Sequence, residues 1–346
     1  MHTIPFPQDR ALAGWLLVCC ALVFAMVVLG GVTRLTGSGL SIVEWKPVTG
    51  LIPPLSQEAW ETEFDKYRAS PEYQKINLGM DLDGFKSIYW FEYAHRQLGR
   101  AIGVAFLLPV LYFLARRRSA PARSARLLGL FLLGGLQGLM GWYMVKSGLV
   151  DDPHVSQYRL TAHLLLAFVI YGYMLWLALE LWYPRAQHPA PGMRARLHAP
   201  TLALTLWVLL TVASGGFVAG LKAGFAYNSF PLMGGHWIPQ AMWLFDPWWK
   251  NLFENIATVQ FNHRLLALLA LAGILALWWA GRNAGLAPRA RLALHLLLAA
   301  GLLQVALGIS TLLLHVPLSL AAAHQGGALV LFSVLVYLNH ALRRAP

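Results

Sequence analysis

Apolar residues in this chain gather into long blocks, each about the length of a membrane crossing. A helix needs roughly 20 apolar residues to cross about 30 Å of hydrocarbon. Eight stretches qualify: 11–32, 90–115, 127–147, 160–183, 200–221, 257–281, 290–314 and 318–340. The first lacks a small-residue cleavage site and continues directly into a glycine-rich motif, so it reads as a retained span. The pattern predicts an all-α polytopic membrane protein with eight transmembrane helices. Composition agrees: 58% of the 346 residues are hydrophobic, 12% are charged, and the mean hydropathy is +0.54. Those values lie outside the range of soluble domains.

Between the blocks, charge sorts by side. Arg116, Arg117, Arg118, Arg123 and Arg126 separate spans two and three with no acid among them. Arg185, Arg194, Arg196, Arg282, Arg289 and Arg291 fill two further connections, Arg10 precedes the first span, and Arg343 and Arg344 close the tail. Alternate loops therefore share one basic side, expected to be the cytoplasm with both termini in it. Nearly all acids lie in the opposite loops; Asp9 and Glu180 are the exceptions. The net charge of +12 is then a topology signal, and nucleic-acid binding is not expected. Cys19 and Cys20 are adjacent within the first span and match no zinc or disulfide spacing.

The eight spans repeat as two halves of four: 1–183 and 200–346, joined by a Pro-, Arg- and His-rich linker at 184–199 expected in the cytoplasm. Gly30-Gly31-Val32-Thr33 ends span one and Ser214-Gly215-Gly216-Phe217 sits near the end of span five, while Gln137-Gly138-Leu139-Met140-Gly141 in span three matches Gln304-Val305-Ala306-Leu307-Gly308 in span seven. Four spans separate each pair, so the halves share one orientation and should be related by an axis along the membrane normal. Each half reads as a four-helix bundle. Glycines at four-residue spacing (Gly99/Gly103, Gly134/Gly138, Gly216/Gly220/Gly224) read as close helix packing. Two long external loops remain. In 34–89, Ser56 starts a helix with Trp60, Phe64 and Tyr67 on one face, and Asp83 opens the run into span two. The loop 222–256 is dense in aromatics, which suits an interfacial belt or, alternatively, a lid.

The chemistry repeats as well. Glu92-Tyr93-Ala94-His95-Arg96 at the mouth of span two returns as Gln260-Phe261-Asn262-His263-Arg264 at the mouth of span six. Each is followed some sixty to seventy residues later by a second histidine opening a further span, His163 and His324. An ionisable residue inside a span is costly and functional by default. Four at repeated positions argue for two pairs of imidazoles, each pair facing across a bundle, the arrangement that grips a haem iron from both sides. Zinc would want three or four close ligands, usually including Cys or a carboxylate. His315, nine residues before His324, is the other histidine of interest. Arg34, Arg96 and Arg264 are interfacial cations suited to haem propionates, or to lipid headgroups. Glu92 is the single acidic difference between the repeats. It can serve proton chemistry at a haem edge or pair with Arg96.

The run Gly30–Ser41, the loop Pro53-Pro54-x-Ser56-Gln57-Glu58-x-Trp60-Glu61-x-Glu63-Phe64, and Glu92-Tyr93-x-His95-Arg96-x-x-Gly99-Arg100 together resemble haem A synthases of the proteobacterial and mitochondrial type. The resemblance covers essentially the whole chain. It implies oxidation of the C8 methyl of haem O to a formyl group by successive hydroxylations, giving haem A for cytochrome oxidase. It further implies that His95 and His163 ligate the substrate haem, that Glu92 is the catalytic carboxylate, and that His263 and His324 hold a resident haem b. The expected setting is a plasma (inner) membrane with the haem sites towards the periplasmic side. The implied partners are haem O, the lipid bilayer, a haem O synthase and an electron donor, with a homo-oligomer as a further option. A sister branch carries a cysteine pair in an external loop; this chain lacks it, so electrons cannot pass through such thiols here. The rival readings are a dihaem b-type electron carrier, which gives Glu92 no role, and a haem or ion transporter, which should have helices broken at the midplane.

Overall fold

The computed structural model describes residues 7–46, 49–115, 121–150, 153–183 and 191–343. Among them there is no β-strand, and eleven α-helices carry the chain: α1 Pro7–Leu35, α2 Gln57–Arg68, α3 Pro71–Lys75, α4 Leu82–Ala115, α5 Pro121–Gly148, α6 Gln157–Trp182, α7 Pro191–Gly220, α8 Asn251–Glu254, α9 Ile256–Gly281, α10 Pro288–Leu313 and α11 Leu318–Leu342. Seven of these (α1, α5, α6, α7, α9, α10 and α11) are long and apolar enough to cross a membrane. The eighth expected span falls in α4, whose 34 residues extend about 51 Å at 1.5 Å per residue. Its N-terminal half carries Glu92, Arg96 and Arg100, and its C-terminal half holds the apolar run 101–113.

Two boundaries differ from the sequence expectation. The helix of span two begins at Leu82 rather than 90, because Asp81, and not the expected Asp83, caps it outside the apolar block by accepting from Gly84 N at 2.8 Å. Span five begins at Pro191 rather than 200; proline is welcome in a first helical turn, and the helix then runs on through Pro200. Of the residues used for orientation, Arg116, Arg117, Arg118, Arg185 and Arg344 lie outside the described residues, as does 184–190 of the linker.

The chain forms two compact units, 25–167 and 1–24 with 168–346. In the second, α7, α9, α10 and α11 make a four-helix ring in which α7 and α10 each touch both α9 and α11. Its core is Leu204 and Val208 of α7, Ile274 and Leu277 of α9, Leu294 and Leu297 of α10, and Leu335 and Leu338 of α11. These positions lie well along α9 and α11 from the ends that carry His263 and His324, so aliphatic packing and the polar site occupy different levels of one bundle. Asn339 donates to Thr205 at 2.8 Å, and Arg289 lies 3.5 Å from the Tyr183 ring centre and 3.1 Å from Nδ1 of the buried His340.

In unit 25–167 the external loop has a small core of its own. Ser56 caps α2 by accepting from Ala59 N, and Ser70 caps α3 in the same way from Tyr73 N. Phe64 and Tyr67 stack on Phe85 at 5.1 Å, and Trp60 packs edge-on to Tyr89. Lys46 and Lys66 both pair with Glu44, and Lys66 also with Glu63. These hydrogen bonds hold the Glu44 carboxyl below its usual range and raise the Lys66 ammonium. In the second long loop Phe225, Trp237, Trp243, Phe245, Trp248 and Trp249 are exposed, the placement that an interfacial belt requires.

Candidate functional site

The glycine-rich run after α1 is a helix stop. Gly37 takes φ +66°, Ser38 N donates to Thr33 O at 2.8 Å and Gly37 N to Arg34 O at 3.2 Å, the paired bonds of a Schellman cap. That reversal delivers Ser41 and Ile42 to α4. Glu92, 2% exposed, receives them: its Oε2 accepts from Ser41 Oγ at 2.7 Å and Ile42 N at 2.8 Å. Its Oε1 accepts from Arg96 Nε at 3.0 Å and Nη2 at 2.6 Å. Arg96 then donates to Ile42 O and Glu44 O. The carboxylate and the guanidinium thus neutralise each other and bind the loop to the helix. A cleft of about 450 Å³ opens beside the pair, bounded by Ile42, Glu44, Tyr89, Tyr93, Arg96 and Arg100.

The second repeat has the same plan with opposite hydrogen-bond polarity. Gln260 is buried, and its amide nitrogen donates to Ala223 O at 2.9 Å and Tyr227 O at 3.4 Å while its oxygen accepts from Arg264 at 3.1 Å. Arg264 donates to the carbonyls of Tyr227, Ser229 and Leu232. Arg96 and Arg264 are therefore both engaged with loop backbone. Arg34 is half-buried in the last turn of α1.

All four repeated histidines are half-buried, so each keeps ring surface for a further group. The His263 and His324 rings stand 6.5 Å apart, centre to centre, and nearly perpendicular at 86°. Two metal–imidazole bonds of about 2 Å each, plus the two half-rings, fill a gap of that size. His95 and His163 are close enough for the charge of one to act on the other. Among the described residues no three His, Cys, Asp or Glu side chains converge on one point. His324 Nδ1 and His163 Nδ1 are buried without a hydrogen-bond partner, and so are Gln304 Oε1 and Gln137 Oε1. The two glutamines occupy equivalent places, donating to His324 O at 2.9 Å and His163 O at 3.1 Å. His315 does not join the site; it is exposed in a left-handed turn, φ +61°, between α10 and α11.

Each histidine also meets one glycine on a neighbouring helix. A Cβ at Gly30 would lie 3.1 Å from His95 Nε2, at Gly141 3.3 Å from His163, at Gly215 3.1 Å from His263 and at Gly308 2.8 Å from His324. Of the spaced glycines expected to pack helices, a Cβ at Gly99 would meet Met26 at 3.5 Å and one at Gly224 would meet Val316 at 3.2 Å, whereas Gly103, Gly134 and Gly138 have nothing within 4 Å among the described residues. The sequence held the relevant signal in the repeated runs, where Gly30 matches Gly215 and Gly141 matches Gly308. The small residues Gly30, Gly141, Gly215 and Gly308 in those runs lie against the imidazoles.

The cytochrome oxidase assembly protein family, COX15-CtaA, matches residues 13–336. The chain belongs to that family. Among its relatives, "Heme A synthase" of Nitrosospira multiformis is 56% identical over 340 residues, covering 98% of this chain and 95% of the relative. "Heme A synthase COX15" of Arabidopsis thaliana is 48% identical over 98% of this chain and 76% of its own, and the mouse protein of the same name 48% over 99% and 86%. The COX15-CtaA match takes in both histidine pairs, both loop anchors and the four seating glycines.

Proposed function

We propose that this COX15-CtaA chain is a haem A synthase, a membrane oxidoreductase that converts haem O to haem A. The observation that carries this reading is the twofold repeat of paired, glycine-seated imidazoles, broken by one charge: Glu92 against Gln260. A dihaem carrier has no need of that difference.

In this reading haem O binds in the first repeat between His95 and His163, and haem b resides in the second between His263 and His324. When bound there, haem b supplies a one-electron centre. The C8 methyl of haem O is hydroxylated in two successive two-electron oxidations, each needing an external oxidant and one oxygen atom, and the geminal diol loses water to leave the formyl group. Glu92 is the acid–base residue for proton release at the substrate. Its carboxylate rests paired with Arg96, so it becomes available as the Arg96 and Ser41 hydrogen bonds loosen. Arg34 and Arg96 in the first repeat and Arg264 in the second are the cations that would favour the anionic propionate ends of a bound haem. The halves 1–183 and 200–346 are the functional divisions, both termini and the connection between the halves are cytoplasmic, and the haem sites face the periplasm. A haem O synthase and an electron donor act beside it.

The deciding experiment is extraction of haem from the purified protein. Haem b together with haem O or haem A is the expected result. Haem b alone, from cells that make haem O, would overturn the synthase reading.

A further inference from the structure

We propose that Ser214 is a positioning residue that fixes the tautomer and electron density of the His263 imidazole, and so makes the haem of the second repeat a permanent one. The inference rests on His263 being a haem ligand. Ser214 lies on α7 one residue before Gly215, the glycine that seats the His263 ring. Its Oγ is 2.7 Å from Thr211 O and 2.8 Å from His263 Nδ1. A serine hydroxyl carries one proton and offers lone pairs as acceptors. The Thr211 carbonyl, which is also a backbone hydrogen-bond partner of His263, can only accept, so it takes that proton. The hydroxyl oxygen is then left to accept from Nδ1, which must carry its own hydrogen. His263 is thereby set as the Nδ1–H tautomer, with the Nε2 lone pair directed to a metal. Metal-bound imidazoles ordinarily give their other N–H to such an acceptor, which orients the ring and raises its basicity.

The first repeat lacks the device. Gly30 seats His95 as Gly215 seats His263, and the residue before Gly30 is Leu29, whose side chain has no acceptor. A substrate site must release its product at every turnover, whereas a redox site must not lose its haem. The Ser214/Leu29 difference matches that division and is separate from the Glu92/Gln260 one.

The test compares full-length Ser214→Ala, Ser214→Thr and His263→Ala proteins. The readouts are the rate of haem b loss to an excess of a haem-scavenging apoprotein and the reduction potential of the haem b band. Ser214→Ala should lose haem b about 10–100-fold faster, with a raised potential because the ring donates less to iron. Ser214→Thr, which keeps the hydroxyl, should restore both. If Ser214→Ala is isolated without haem, titration of the folded apoprotein with haem should show the same weakening. Unchanged loss rate and potential in Ser214→Ala, with haem b absent from His263→Ala, would overturn the role of Ser214 and leave the ligand assignment standing. A full bis-imidazole spectrum in His263→Ala would instead overturn the ligand assignment beneath it.

Discussion

Ile42 N donates to Glu92 Oε2 at 2.8 Å, joining residues fifty positions apart and closing the first external loop onto α4. The bond makes the only acidic residue of the repeated motifs a loop anchor as well as a candidate proton carrier. Ser41, Ile42 and Arg96 all donate to Glu92, whereas the matching Gln260 meets two carbonyls and one donor. The two loops are built to receive different side chains, so the charge difference belongs to the architecture.

Glu92→Gln is therefore more than a loss of charge. The amide nitrogen must face either Ile42 N–H and Ser41 or the Arg96 guanidinium, setting donor against donor at a cost of about 1–3 kcal/mol. The variant should keep haem b and bind haem O but form little haem A, as read by haem extraction from cells without an unsubstituted copy. Ser41→Ala separates the two roles, since it removes one loop bond and leaves the carboxylate; haem A should still form. Normal haem A output from Glu92→Gln would reduce Glu92 to an anchor.

The haem b ligands can be tested on the α11 side. His324→Ala should lose most of the low-spin haem b spectrum while retaining helix content by circular dichroism. An intact spectrum would place the haem elsewhere.

The glycine seats give a steric prediction. In Gly308→Ala the new methyl would lie 2.8 Å from His324 Cε1, so the ring must move, and haem b occupancy should fall. Gly138→Ala, with nothing within 4 Å, is the control and should bind haem as the unsubstituted protein does. Equal occupancy in the two variants would show that the seats do not hold the rings.

Membrane sidedness follows from charge. In a background without Cys19 and Cys20, single cysteines at positions 60 and 240 should react with an impermeant thiol reagent from outside, and those at 120 and 285 only from inside. Labelling of 60 and 120 from one side would break the eight-span topology.

The Glu44 cluster predicts a pH effect in the first loop. Its carboxyl lies below the usual range in the folded state because Lys46 and Lys66 bond to it. A depressed carboxylate stabilises fully above its unfolded value, near pH 4, and that contribution is lost as pH falls through the lower folded value. Proteolysis of the 36–81 loop by an acid-tolerant protease should therefore rise in acid, and Glu44→Gln should show less of that dependence. The same slope in Glu44→Gln would assign the effect to other groups.

Much of this was legible along the chain. Span lengths, the basic side, the fourfold set of histidines and the acid-for-amide exchange are properties of residue type and spacing, which a repeat prints twice. The α2 cap at Ser56 and the aromatic face of that helix were legible too, because capping and periodicity act over a few residues. The start of α7 was not, since the residues from Pro191 to Ala199 mix Arg194, Arg196 and His198 with only two large apolar side chains, Met193 and Leu197, and still continue the helix.

What only the tertiary structure decided is who bonds to whom across the fold. Arg96 and Arg264 read in sequence as cations for haem propionates or lipid headgroups; folded, each also donates to loop carbonyls some 35 to 54 residues away. Ser214 and Leu29 are ordinary residues of apolar helices until Gly215 and Gly30 bring histidines against them. Hydropathy and motif spacing are recorded in the order of residues, but a backbone carbonyl or a missing Cβ is the same group at many positions. Its meaning depends on which side chain the fold sets in front of it.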